Sequence, residues 1–158
     1  MNCGMPALRA CLEGAGLARV KTLLSSGNVA FDARKTSTTA LEKRVEAAMA
    51  SHLGRSFESF VRSADELTAL LASEPFAGHA LPAGAKRVVS FLHEPPLERL
   101  ALPIVEERVW IVASAGREIF TAYEPSPRGP VFMTMLERTF GKRITTRTWD
   151  TVRKCAAA

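Results

Sequence analysis

The stretch Lys21-Thr22-Leu23-Leu24-Ser25-Ser26-Gly27-Asn28-Val29-Ala30-Phe31 predicts two short strands joined by a tight turn. Two apolar runs flank the turn, and their branched and aromatic side chains suit a half-buried pleated surface. Gly27 adopts positive φ without steric cost, and Asn28 tolerates a left-handed backbone, so this pair supplies the chain reversal. The segment therefore predicts a β-hairpin.

The same turn is a candidate binding site. Ser26, Gly27 and Asn28, together with neighbouring backbone N–H groups, could form a small polar nest for an anion. The alternative is an ordinary turn whose side chains bond to their own backbone. The sequence favours this second interpretation.

The composition describes an ordinary globular protein. Of the 158 residues, 47% are hydrophobic and 23% are charged, and no apolar run approaches the ~20 residues of a membrane helix. No signal-peptide pattern is visible at the start of the chain. The cysteines, Cys3, Cys11 and Cys155, are odd in number and lack metal-site spacing. These features predict free thiols, a cytoplasmic protein and no membrane association.

The positive charge is concentrated at the C-terminal end. Residues 1–127 contain 14 basic and 14 acidic side chains, so the net charge of +5 comes from the last 31 residues. A basic region attracts anionic ligands, although it could equally be a solvated face. The basic residues of this end are Arg128, Arg138, Lys142, Arg143, Arg147, Arg153 and Lys154.

The order of predicted elements occurs twice along the chain. Residues 86–158 read as β-α-β-β-α-β followed by a helix, and residues 1–74 as α-β-β-α-β followed by a helix. Residues 75–85, with two prolines and two glycines, form the predicted linker. We therefore expect an α+β fold of two ferredoxin-like repeats, the first of which lacks its opening strand.

Four local features complete this prediction. Alternating polarity predicts a strand over 56–62, and Pro96 opens a predicted short helix over 96–102. Capping boxes are expected at Thr39–Glu42 and at Ser63–Glu66. The missing strand would be central in its sheet, so we expect either that Met1 is a misassigned start or that the chain is a truncation.

Three segments resemble the bacterial family of proteins of unknown function numbered 1697 (DUF1697). They are Met5-Pro6-Ala7-Leu8-Arg9, Ser26-Gly27-Asn28-Val29-Ala30-Phe31 and Thr145-Thr146-Arg147-Thr148-Trp149-Asp150-Thr151-Val152. Ser25 stands where the family typically has glutamine and Thr148 where it has asparagine, and the family's opening R-G-I-N-V-G-G strand is missing. The resemblance implies two ferredoxin-like halves and no particular reaction.

The C-terminal motif is the strongest candidate for a ligand site. Thr145 and Thr146 offer hydroxyl groups, Arg147 a guanidinium fork for carboxylate or phosphate, and Trp149 a stacking face. Thr148 or Asp150 could instead cap a final helix. The alternative is that Trp149 belongs to the core and the threonines belong to a strand and a cap.

Other site classes are not favoured. The three histidines are dispersed and no nucleotide-binding or nucleophile fingerprint is present, so we expect no metal and no cofactor. The adjacent acids Glu106 and Glu107 are better explained by capping or solvation than by catalysis. Arg87–Leu92 and Arg108–Val112 are apolar on both faces, which predicts a covered sheet and disfavours stacking of nucleic-acid bases.

Three functional hypotheses follow. The first is a non-enzymatic domain that binds a small anionic ligand or a partner through its basic C-terminal end. The second is an enzyme for a small anionic substrate, in which the Ser26–Asn28 turn and Arg147 share a pocket. The third is a homodimer or larger assembly formed by strand exchange at the gap in the first repeat.

Overall fold

The computed structural model describes residues 3–24, 27–98 and 100–158. These residues form a mixed α/β fold with five helices and two sheets. The chain divides into two compact units, one made of Met1–Thr68 with Arg153–Ala158 and the other of Ala69–Val152. In chain order the elements are α1 (Met5–Gly14), β1 (Ala18–Leu23), β2 (Asn28–Asp32), α2 (Thr38–Leu53), α3 (Ala64–Ala72), β3 (Lys86–Phe91), β4 (Ile104–Glu106), β5 (Val109–Ala115), β6 (Glu118–Tyr123), α4 (Val131–Phe140), β7 (Thr145–Thr148) and α5 (Trp149–Ala156).

The first unit is built around the predicted hairpin. β1 and β2 pair in antiparallel fashion, and Gly27 supplies the reversal with φ of +86°. One side of this two-stranded sheet packs against α1 and α2, because both helices place apolar residues at helical spacing. The buried core of the unit consists of Leu8, Cys11, Leu12, Leu17, Val20, Val45, Ala48 and Met49.

The segment 56–62 is not a strand, and that prediction was wrong. Its backbone is held instead by two carboxylates of α2: Val61 N donates to Glu42 Oε2 at 2.9 Å, and Ser59 N donates to Glu46 Oε1 at 3.2 Å. A strand requires a neighbouring strand for its ladder, and none pairs with this segment in the described part of the chain.

The two capping predictions had different outcomes. Ser63 and Glu66 form the expected box, with Glu66 N donating to Ser63 Oγ at 3.0 Å and Ser63 N donating to Glu66 Oε1 at 3.4 Å. The cap of α2 is Ser37, whose hydroxyl accepts from Ala40 N at 3.1 Å. The prediction of a box at Thr39 was therefore wrong, and the carboxylate of Glu42 bonds elsewhere.

The second unit contains a five-stranded antiparallel sheet in the order β4-β5-β6-β3-β7. Against one face, α4 packs through Met135 and Leu136 onto a core that includes Leu92, Val109, Ile111 and Ile119. A covered sheet was predicted from the strands β3 and β5. β3 is buried at its last four residues and β5 at Val109, Ile111 and Val112, so consecutive residues of both strands are covered, as predicted.

In the described residues of 96–102, the predicted helix is absent. Residues 92–98 and 100–103 form neither helix nor strand, and the chain then enters β4, which the sequence did not predict. A helix of seven residues has few internal hydrogen bonds to offset the cost of its nucleation. Pairing with β5, in which Ile104 lies opposite Ile111, gives the following residues a ladder instead.

The turn between β4 and β5 offers a stability prediction. Glu107 and Arg108 both have positive φ, 49° and 61°, as in a type I′ hairpin turn, which favours Asn-Gly. Their side chains form exposed ion pairs with Arg128 and Glu124, and such pairs contribute little. We expect Glu107→Asn combined with Arg108→Gly to stabilise the unit by about 1 kcal/mol in chemical denaturation, because backbone strain is relieved. A less stable double variant would show that the ion pairs outweigh the strain.

Candidate functional site

The predicted C-terminal site lies where β7 is followed directly by α5. Thr146 is paired with Ser90 of β3, and the two hydroxyl oxygens lie 2.8 Å apart. Ser90 is fully buried. The Thr146 side chain is therefore engaged in holding β7 to the sheet.

Arg147 projects from the opposite side of β7, because successive strand residues alternate between faces. Its Nη1 donates to Thr145 Oγ1 at 2.8 Å and to the Thr146 carbonyl at 3.0 Å. The side chains of Thr145 and Arg147 are half-buried. These bonds hold the guanidinium in one orientation beside a threonine hydroxyl, so the structure brings Thr145 and Arg147 together as the sequence suggested.

The next two residues support the start of α5. Thr148 Oγ1 accepts from Thr151 N at 3.2 Å, which is the helix cap suggested by the sequence. Trp149 packs edge-to-face against Phe76 and Phe120, with ring centroids 5.3 and 6.5 Å apart. The indole therefore anchors the helix start to the sheet, and a role for Trp149 in stacking on a ligand stays a prediction.

The hairpin turn is the other predicted site. Asn28 is buried, and its Nδ2 donates to the Leu23 carbonyl at 3.2 Å, so its side chain braces the turn. Ser26 lies outside the described residues. Gly27 and Asn28 belong to the first compact unit and Thr145–Trp149 to the second. The hypothesis of a pocket shared by the two segments stays a prediction.

Part of the C-terminal positive charge is compensated within the chain. Arg138 on α4 donates to Glu106 Oε2 at 3.1 Å, and Arg128 before α4 donates to Glu107 Oε1 at 3.4 Å. These ion pairs give both Glu106 and Glu107 a structural role. The partner of Glu106 lies 32 residues further along the chain, and the partner of Glu107 lies 21 residues further. Spacing in the sequence could not reveal partners so far away.

Two cavities lie in the second unit near the start of α4. One, of about 210 Å³, is bounded by the charged side chains of Glu106, Glu107, Arg128 and Arg138 together with residues of α4. The other, of about 150 Å³, lies beside the stacked rings of Tyr123 and Phe132. Neither is lined by the residues of the predicted β7 site, and the sequence patterns did not point to either.

The thiols behave as the sequence predicts. Cys3, Cys11 and Cys155 are all reduced and form no disulfide. Burial raises the pKa of the Cys11 thiol, and the nearby Cys3 adds to the effect, so Cys11 is a core residue of low reactivity. Among residues 3–24, 27–98 and 100–158, no cluster of side chains is arranged to hold a metal ion, and no helix is long and apolar enough to cross a bilayer.

Comparison with known proteins places the chain among uncharacterised proteins. Residues 2–120 match the family model described as "Protein of unknown function (DUF1697)". The first two resemblance motifs lie within that match, and Thr145–Val152 lies beyond it. No curated protein matches the sequence. Among solved structures, the conserved bacterial protein SP0830 from Streptococcus pneumoniae is similar in fold, with a TM-score of 0.66 and 19% identity over 99% of this chain and 88% of that one.

Proposed function

The chain belongs to the DUF1697 family of proteins of unknown function, and we propose that it is a non-enzymatic domain that binds a small anionic ligand at β7. The observation that carries the proposal is the held guanidinium of Arg147, which is bonded to Thr145 Oγ1 at 2.8 Å and to the Thr146 carbonyl at 3.0 Å. A cation fixed before binding loses less side-chain entropy when the ligand arrives.

The chemistry of the ligand follows from the donors. A guanidinium matches the geometry of a carboxylate or a phosphate. The ligand would contact the guanidinium of Arg147, with the Thr145 hydroxyl as an additional partner. Lys142 and Arg143, exposed just before β7, increase the local positive charge. Nucleic acid is a less favoured ligand, because β3 and β6 are covered rather than open to bases.

The experiment compares Arg147→Gln with the parent protein in titrations against inorganic phosphate, nucleotides, phosphosugars and short RNA. Tryptophan fluorescence is a suitable signal, because Trp149 lies two residues from Arg147. A hydrogen bond to a charged group contributes about 1.5–3 kcal/mol, so we expect the dissociation constant to rise by about 10-fold or more. Binding should also weaken as the salt concentration increases.

Arg138→Gln is the matched control. It removes the same charge from α4, where the guanidinium is bonded to Glu106 at 3.1 Å rather than to β7. We expect its affinity for the anion to stay within about twofold of the parent value, since only screened, long-range charge is lost. The proposal is wrong if no probe binds the parent, or if the two variants bind equally well.

The strand order of the second unit resembles that of a known supersecondary motif. We infer that the second unit is a variant of the ferredoxin-like repeat, because β5, β6, β3 and β7 are adjacent in that order and the first of them in the chain, β3, is central. An irregular segment replaces the first helix, and β4 adds a fifth strand. We also propose that the protein is bacterial and cytoplasmic. Its family and the absence of a disulfide among its three cysteines support this proposal.

A further inference from the structure

The outer edge of β4 is open in the described part of the chain. β4 is the terminal strand of the order β4-β5-β6-β3-β7, and β5 pairs with one of its edges only. An unpaired strand edge presents a row of N–H and C=O groups that another chain can use for pairing. This end of the sheet is opposite β7, so the inference is independent of the proposed anion site.

Two of the three side chains of β4, Ile104 and Val105, are apolar, whereas edge strands are often protected by charges. Val105, at the centre of β4, is 57% exposed, while its neighbour Ile104 packs into the core. Across the strand pair, Val105 lies opposite Trp110, which is half-buried and on the same face. Leu97, in the connection leading to β4, is fully exposed at 100%. Tryptophan is enriched at protein interfaces, and here it lies beside an exposed apolar side chain at an open strand edge.

The charges near this edge are already neutralised by the same chain. Glu106 is bonded to Arg138 at 3.1 Å, and Glu107 to Arg128 at 3.4 Å. A basic partner would have to displace these arginines before it gained an ion pair. The occupant that complements the edge in charge is therefore a neutral, apolar strand.

We propose that this occupant is the β4 of a second copy of the chain, paired in antiparallel fashion about a two-fold axis at Val105. Directly opposite residues of an antiparallel pair share a face, so the two valines meet between the two tryptophans. In this register Glu106 of each copy lies opposite Ile104 of the other, and no glutamate directly faces another. A two-fold pairing uses the same patch on both copies and closes at two subunits, as most homo-oligomers do.

The first test is the mass in solution, measured by light scattering from about 1 µM to about 100 µM. We expect the parent to reach twice the monomer mass within this range. Val105→Lys places two like charges opposite each other and should raise the dimer dissociation constant by about tenfold or more. Leu24→Lys is the control, because Leu24 is also exposed, at 49%, but lies just after β1 in the first unit.

A cross-linking test verifies the register. In a Cys3→Ser, Cys155→Ser background, Val105→Cys should be joined efficiently to its counterpart by a short bis-maleimide, because directly opposite Cβ atoms lie about 4.5–5.5 Å apart. Leu24→Cys should not be cross-linked, because position 24 lies away from the paired β4 strands, and buried Cys11 should not react. A monomeric parent at the highest concentration would overturn the proposal, as would a dimer insensitive to Val105→Lys or not cross-linked at position 105. If the parent is monomeric, the β4 edge would instead be available to a strand of a different protein.

Discussion

Phe120→Ala is expected to destabilise the second unit by about 3–5 kcal/mol, the usual cost of removing a buried phenylalanine. Phe120 is 1% exposed at the centre of β6, opposite Val89. Its ring packs edge-to-face on Phe76, with centroids 5.9 Å apart, and on Trp149, 6.5 Å apart. Such aromatic pairs contribute about 0.5–1.5 kcal/mol each beyond the burial of area. Chemical denaturation followed by tryptophan fluorescence measures the loss.

Phe132→Ala provides the comparison for Phe120. It removes the same atoms from a half-buried ring on α4, which stacks on Tyr123 at 3.8 Å between centroids. Because less area returns to water, we expect about half the destabilisation. Equal losses would mean that the contacts of Phe120 with Phe76 and Trp149 contribute no more than the stack of Phe132 on Tyr123.

Glu42→Ala is expected to destabilise the first unit by about 2 kcal/mol. Glu42 is 6% exposed on α2, and its Oε2 accepts from Val61 N at 2.9 Å. Without the carboxylate, a half-buried N–H group lacks its acceptor, which costs about 1–3 kcal/mol. Denaturation gives the total effect, and amide hydrogen exchange at Val61 reports the local one: protection of this amide should fall at least as far as the global stability.

Two related variants separate the role of the acceptor from that of the charge. Glu42→Gln keeps a carbonyl oxygen for Val61 N and should lose less than half as much stability as Glu42→Ala. Glu46→Ala removes a more exposed carboxylate that accepts from Ser59 N at 3.2 Å, and we expect a cost of about 0.5–1 kcal/mol. If Glu42→Ala unfolds as the parent does, the segment 56–62 is held by other contacts.

Much of the local structure could be predicted from the sequence, since it depends on neighbouring residues. Gly27 lies in the turn between β1 and β2 with positive φ, as predicted, whereas Asn28 is the first residue of β2 rather than a left-handed turn residue. Ser63 caps α3 together with Glu66. Thr148 caps α5, one of the two alternatives that the sequence left open. For the proposed β7 site, the sequence identified Thr145 and Arg147, which lie two residues apart, and the structure shows the bond between them. In each case the chemistry lies within a few residues along the chain.

The errors occurred where a partner lies far away in the sequence. Residues 56–62 alternate like a strand, but a ladder depends on another strand, and carboxylates of α2 supply acceptors here instead. Glu42 was assigned to a local cap although it bonds to Val61, 19 residues later. The three residues of β4 carry too short a pattern to be recognised, and they form a strand because β5 lies beside them.

The sequence by itself determined the hairpin, the cap of α3 and the strands β3, β5, β6 and β7. Their turns, capping groups and apolar periodicity act over distances of a few residues. Only the tertiary structure decided that Trp149 joins Phe76 and Phe120, that Glu106 and Glu107 belong to the arginines around α4, and that Val105 lies on an open edge. Burial, long-range pairing and the position of a strand within its sheet exist only when distant segments have come together.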